Sequence, residues 1–180
     1  MIEKTELPRG LHEFFSHDHA RLDNLFHKCM TAGFENSQED LEEFARGLIQ
    51  HIIWEDEYLF PVFEHVSGMS DKGPTFVMRA DHHTIQELLY ELIQGVRNGT
   101  LDMTLPSTLQ GLLLQHNQAE ENVVYEAVES MLTPESREEL LAHLKATPPL
   151  DLEAWIESVV EVEELEYNSG ASPFSMHECN

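Results

Sequence analysis

Leu41-Glu-Glu-Phe44-Ala-Arg-Gly-Leu48-Ile-Gln-His51-Ile-Ile-Trp54-Glu55-Asp-Glu-Tyr58-Leu-Phe-Pro-Val62 is the stretch on which the fold turns. Leu41, Phe44, Leu48, His51, Glu55, Tyr58 and Val62 recur at steps of three and four, the period of one face of an α-helix. A face that is apolar over so many turns is a face that packs. Two of its members are polar, His51 and Glu55, four residues apart and so one turn apart on the same side. Burying an unpartnered carboxylate costs several kcal/mol. Something inside the fold must therefore want them there.

Three other segments repeat the pattern. Leu11, Phe15, His19, Leu22, Phe26 and Cys29 form the first seam, broken after by Gly33 and Asn36. Met78, His82, Ile85, Leu89, Leu92 and Val96 form the third, which stops at Asn98-Gly99, a sequence suited to a helix C-cap. Leu105, Leu109, Leu113, His116, Glu120, Val123 and Ala127 form the fourth. Strand signals are nearly absent. Short connections make each helix antiparallel to the next, so the expectation is an all-α, up-down-up-down four-helix bundle. Thr133-Pro134 predicts the start of a short fifth helix. Leu152, Trp155, Ile156 and Val159 predict a sixth near 150–166. The pair Pro148-Pro149 divides the chain into a core domain, 1–147, and an acidic appendage, 148–180, whose end is expected to be a disordered tail.

Each seam contains one histidine: His19, His51, His82 and His116. Two contain a glutamate four residues later, Glu55 and Glu120. Four imidazoles and two carboxylates inside one bundle make sense as metal ligands, since coordination uses the lone pairs that burial would otherwise strand. Glu and His on facing helices are how helical bundles build dinuclear carboxylate sites. A nitrogen and oxygen set without thiolate suits iron or manganese, with zinc left open. The remaining histidines read as packing or surface groups. His83 is about 100° round the helix from His82. Asp23 is about 40° off the direction of His19 and stands as an outer-layer candidate. His12, two turns before His19, reads first as packing and second as an extra ligand. His177 and Cys179 lie in the expected tail. Phe14, Phe15, Phe26, Trp54, Phe60 and Phe63 are core fillers that would keep the site dry.

Composition narrows the partners. Among 180 residues, 34 acids face 10 Lys and Arg, a formal charge of −24. Such a chain repels nucleic-acid phosphates and anionic membrane surfaces. Two cysteines make neither a disulfide framework nor a thiolate metal site. With no signal-peptide pattern at Met1 and no run of about 18 apolar residues, a cytoplasmic protein is expected.

Four ordered motifs resemble the hemerythrin-like (HHE cation-binding) family, in its bacterial type. They are Asp18-His19-Ala-Arg-Leu-Asp23, His51-Ile-Ile-Trp-Glu55-Asp-Glu-Tyr-Leu-Phe-Pro61, Gly73-Pro-Thr-Phe-Val-Met-Arg-Ala-Asp-His82 and His116-Asn-Gln-Ala-Glu120-Glu-Asn-Val-Val-Tyr125. The resemblance spans roughly residues 10–132. It implies two iron ions, a non-haem di-iron centre with oxo or hydroxo and carboxylate bridges. It implies His19, His51, Glu55, His82, His116 and Glu120 as ligands, the same set the seams single out.

Two positions depart from the oxygen-carrying members. Gln86 stands where those have a second third-helix histidine. Their fourth-helix carboxylate falls at the position of Glu121, which is the fallback to Glu120. One imidazole fewer leaves a further open coordination position, which favours sensing or redox turnover over stable carriage. The cysteine-bearing N-terminal extension of the nitric-oxide-response members is not seen. The resemblance thus implies a protein that binds or senses dioxygen or a related small ligand. The alternatives are a di-iron redox enzyme of peroxide or nitric-oxide chemistry, or an iron-handling protein. A homodimer through the C-terminal helix is a further expectation.

Overall fold

The computed structural model describes residues 10–70 and 72–169, and the side chains of these up to residue 160. His177 and Cys179 lie outside the described residues. Among the described residues eight α-helices run in order: α1 Leu11–Ala32, α2 Gln38–Trp54, α3 Phe60–Ser67, α4 Pro74–Asn98, α5 Leu105–Ala119, α6 Glu126–Met131, α7 Pro134–Ala146 and α8 Leu152–Ser169. Among the described residues there is no strand, and no helix is long and apolar enough to cross a membrane.

The direction of each arm follows from what its ends bury. One apolar cluster gathers Leu22, Phe26, Phe44, Leu48, Ile52, Ile85, Leu89, Leu109 and Leu113. Another gathers Leu11, Phe15, Leu59, Phe60, Met78, Val124, Tyr125 and Val128. Along α1 the chain passes from the second cluster, Phe15, through His19 to the first, Leu22. The α2–α3 arm crosses the other way at His51 and Glu55. The α4 arm returns at His82, and the α5–α6 arm crosses back at His116 and Glu120. This is an up-down-up-down bundle with every seam histidine in one polar layer between two apolar ends.

Local chemistry sets the boundaries. Gly68 and Gly99 end α3 and α4 in the left-handed conformation, at φ 70° and 65°. The Thr133 hydroxyl caps α7 by accepting from the Ser136 N–H at 3.2 Å, with Pro134 in the first turn. Asp151 caps α8 through the N–H groups of Glu153 and Ala154. Glu129 of α6 accepts from the Leu11 and His12 N–H groups, 2.8 and 3.3 Å, tying the start of α1 to the end of the fourth arm. The start of α8 packs Leu152 and Ile156 into the first apolar cluster, leaving Val160 at its edge 37% exposed.

The second and fourth arms are not uniform α-helices, as a single seam would require. Each contains a π-helical segment, Glu55–Leu59 and Glu120–Tyr125. A π turn takes up extra residues, so the buried face shifts beyond it. The seam expected at Tyr58 and Val62 falls instead on Leu59, Phe60 and Phe63. The seam expected at Val123 and Ala127 falls on Val124, Tyr125 and Val128, and Val123 is turned out, 48% exposed.

Candidate metal centre

Both π segments begin at a glutamate of the polar layer. Glu55 and Glu120 are fully buried, and His19, His51, His82 and His116 are at most 4% exposed. The structure brings all six together in two groups whose donor atoms lie within 4.8 Å of one another. The first is His19, His51, Glu55 and Glu120. The second is His82, His116, Glu55 and Glu120. The two glutamates belong to both. Glu55 Oε2 lies 3.6 Å from His51 Nε2 and 3.2 Å from His82 Nε2. Glu120 Oε2 lies 3.4 Å from His19 Nε2, and Oε1 lies 3.0 Å from His116 Nε2 and 3.6 Å from His82 Nε2.

A ring of carboxylates orients the histidines. Asp18 meets His51 Nδ1 at 2.9 Å, Asp56 meets His82 Nδ1 at 3.0 Å, Asp81 meets His116 Nδ1 at 3.4 Å and Glu121 meets His19 Nδ1 at 2.9 Å. Each acid adjoins in sequence one member of the polar layer and serves the histidine of the next arm round the bundle. The order closes on itself: α1 to α2, α2 to α4, α4 to α5, and the fourth arm back to α1.

This ring decides where the protons are. A carboxylate only accepts, so the Nδ1 facing it carries the hydrogen of a neutral imidazole. Every Nε2 then points inward as a bare lone pair, towards two carboxylates that are also acceptors. His82 Nε2 and His116 Nε2 face each other at 3.1 Å. Glu55 Oε2 and Glu120 Oε1 make no hydrogen bond despite those near histidines. The centre is a convergence of acceptors, and it requires cations: protons in the metal-free chain, metal ions otherwise. In the metal-free chain burial works against a charged His51, but Glu55 and Asp18 outweigh it and push its pKa up to about 10. His82 is likewise raised, by Asp56, Glu120 and Glu55 against the cost of burial. Asp18 is held down at about 2 by His51 and Arg21, although burial opposes this.

Tyr125 was not legible as part of the site. Five residues is about 140° round a regular α-helix, which would aim it away from Glu120. The π segment turns it inward. Its hydroxyl donates to Glu55 Oε1 at 2.5 Å and lies 3.1 Å from Glu120 Oε2. It also lies 3.2 Å from His19 Nε2 and 3.3 Å from His51 Nε2. The other candidates stay outside the inner layer. Glu121 holds the back of His19, as above. His12 meets the Glu121 carbonyl at 3.2 Å and packs its edge on Tyr125. His83 is exposed, and Gln86 is half-buried on α4. Asp23, whose side chain is exposed at its outer edge, lies beside the layer on the wall of a cavity; partial desolvation there, with Glu121 nearby, raises its pKa.

That cavity adjoins the layer on the side of the first apolar cluster. Leu22, Phe44, Leu48, Ile52, Ile85 and Leu113 line it, with His19, His51, Glu55 and His116 at its polar floor. Its volume of about 10 Å³ is that of roughly one water-sized molecule.

A four-helix bundle with a buried histidine and glutamate layer defines a class of metal-binding helical proteins. The family model of the hemerythrin HHE cation binding domain matches residues 11–146, and the chain belongs to that family. No match was found among curated proteins or among solved structures.

Proposed function

We propose that this protein holds two iron ions in its polar layer and uses them to bind or sense dioxygen or a related small ligand. His19 and His51 would hold one ion, His82 and His116 the other, with Glu55 and Glu120 shared between them. The observation that carries the reading is that sharing: two donor groups of four residues have two glutamates in common. A pair of ions needs such a bridge, and a single ion does not. Nitrogen and oxygen donors without sulfur suit iron, and the family's cation-binding character agrees. When bound, iron supplies redox-active open coordination positions for a small molecule.

The chain's own residues do the rest. Asp18, Asp56, Asp81 and Glu121 fix each imidazole with Nε2 inward. Phe15 and Phe60 pack on the histidines from one side, at ring separations of 5.4 Å to His51 and 5.5 Å to His82. From the other side the small, mostly apolar cavity would favour a small ligand of low polarity over larger polar ones.

The test is metal analysis with optical spectra on chain purified from iron-replete cells. The expected result is two irons per chain and a near-ultraviolet charge-transfer band that appears in air and reverses when oxygen is removed. Stoichiometric zinc alone would overturn the reading. Two irons with steady consumption of peroxide, and no reversible band, would replace binding with redox catalysis.

A further inference from the structure

We propose that the Tyr125 hydroxyl is a seventh donor, an oxygen ligand to the ion held by His19 and His51, so that the two metal positions are chemically unequal. The inference rests on the iron reading above, and concerns a residue type outside its histidine and glutamate set.

The first argument is position. The phenol oxygen stands 2.5–3.3 Å from one donor atom of every member of the first group: Glu55, Glu120, His19 and His51. Neighbouring donors about 3 Å apart are what bonds of about 2.1 Å to one ion produce in octahedral geometry. Among the described residues no hydroxyl stands in the equivalent place beside His82 and His116. There His82 is covered by Phe60, stacked at 9° between ring planes, which offers no donor.

The second argument is proton count. The phenol has one hydrogen and gives it to Glu55. Once the layer gives up its protons to take a cation, the phenol presents only lone pairs towards Glu120, His19 and His51, and those atoms present lone pairs in return. A phenol that served only as a hydrogen-bond donor would need one acceptor. This one closes a ring of five acceptors round a common point, and a cation satisfies all of them at once.

The third argument is that the side chain is built to stay. It is fully buried, and its ring stacks on Phe15 at 5.0 Å. The π segment Glu120–Tyr125 is what aims it inward. Ligation exchanges one O–H bond for one O–metal bond, and the proton passes to water. A phenolate is a hard oxygen donor that suits ferric iron. It would fill a position on the first ion and leave the open position to the second, beside His82 and His116.

The test is spectroscopic and needs no activity. Iron is loaded into the full chain and into Tyr125→Phe, which keeps the ring packing and removes only the hydroxyl. The ferric wild type is expected to show a visible phenolate-to-iron charge-transfer band, and resonance Raman bands that shift with ring-deuterated tyrosine. Tyr125→Phe is expected to lose both while keeping two irons. Two irons in the wild type with no phenolate band, or a band that survives in Tyr125→Phe, overturns the proposal and leaves the iron reading intact. A wild type that takes up no iron overturns both. Should Tyr125→Phe fail to fold, the isotope shift in the wild type alone decides the matter.

Discussion

The polar layer is met from its two ends in opposite ways. At the end built by Phe15, Leu59, Phe60, Val124 and Tyr125 it is in close contact: Phe60 stacks on His82, Phe15 meets His51 edge-on and a hydroxyl reaches both glutamates. At the end built by Leu22, Phe44, Leu48, Ile52, Ile85 and Leu113 it is faced by mostly aliphatic groups that leave a small cavity. Both ends are apolar by composition, yet one packs against the layer and the other leaves space beside it. The difference originates in two backbone details. The π segments at Glu55 and Glu120 rotate the following residues, so the faces beyond them are aromatic and close to the layer. The regular helix before them presents Phe44, Leu48, Ile52 and Leu113, which leave the small cavity beside the layer.

The largest expected effect comes from taking the ions away, because the layer joins the two ends. Metal binding is folding free energy, and apparent values for structural sites reach about 10 kcal/mol or more. Chelation should lower the melting temperature by roughly 10 °C or more for a chain this size. Hydrogen exchange should quicken at both ends, near Leu48–Ile52 and near Leu59–Phe63. An unchanged melting curve after verified metal loss would break the idea that the layer organises the core.

Next is the contrast of His82→Ala with His83→Ala. Neighbours on a helix are about 100° apart, and only His82 is buried. His82→Ala should remove an ion from the half that Tyr125 does not reach, cutting bound iron to about one per chain or less. His83→Ala should leave iron content unchanged. The reverse pattern would place the wrong face of α4 against the layer.

Asp18→Asn should cost about 10–100-fold in metal affinity by loosening His51, measured by competition with a chelator. The same change at Asp81, whose contact with His116 is longer, should cost less. Equal losses would mean that distance to Nδ1 does not govern the orienting role.

The cavity end is probed by Leu48→Phe, which fills space beside His51. Iron content should hold while association of a small ligand slows several-fold, at a stability cost of about 1–3 kcal/mol. Phe15→Leu at the opposite end should leave that rate unaltered. Equal slowing by both would erase the distinction between the ends.

A last effect is a pH dependence of the metal-free chain. The His51 pKa stands at about 10 in the folded state, against 6.5 for an ordinary histidine. Its contribution is full below pH 6.5 and is lost as pH rises through about 10. Asp18 works oppositely, contributing above pH 3.8 and failing as pH falls through about 2. Denaturant melts of the metal-free chain from about pH 6 to about pH 10 should show falling stability, and the iron-loaded chain a flatter profile. A metal-free chain that gains stability across that range would contradict the protonated layer.

Much of this was legible in the sequence because helical burial is periodic. His19, His51, His82 and His116 sit in step with Leu, Ile and Phe, so their inward aim follows from spacing alone. The carboxylate ring was written in plain sight: Asp18-His19, Glu55-Asp56, Asp81-His82 and Glu120-Glu121 each pair an acid with a member of the layer. Its cross-arm geometry was hidden, since an acid next to one histidine serves another arm's. Tyr125 and the shifted faces at Leu59 and Val124 were hidden for a different reason. A fixed 3.6-residue period carries no signal for a π turn, and both π segments here begin at a buried glutamate. The glutamate followed five residues later by a tyrosine was the one sequence cue.

The central claim is that two ions share one layer, two histidines to each and Glu55 and Glu120 between them. Anomalous diffraction at the iron edge from crystals of the iron-loaded chain tests it most directly. The account predicts two peaks, one against His19 and His51 and the other against His82 and His116, with both glutamates reaching between. A single peak, or iron bound away from these six side chains, would contradict it.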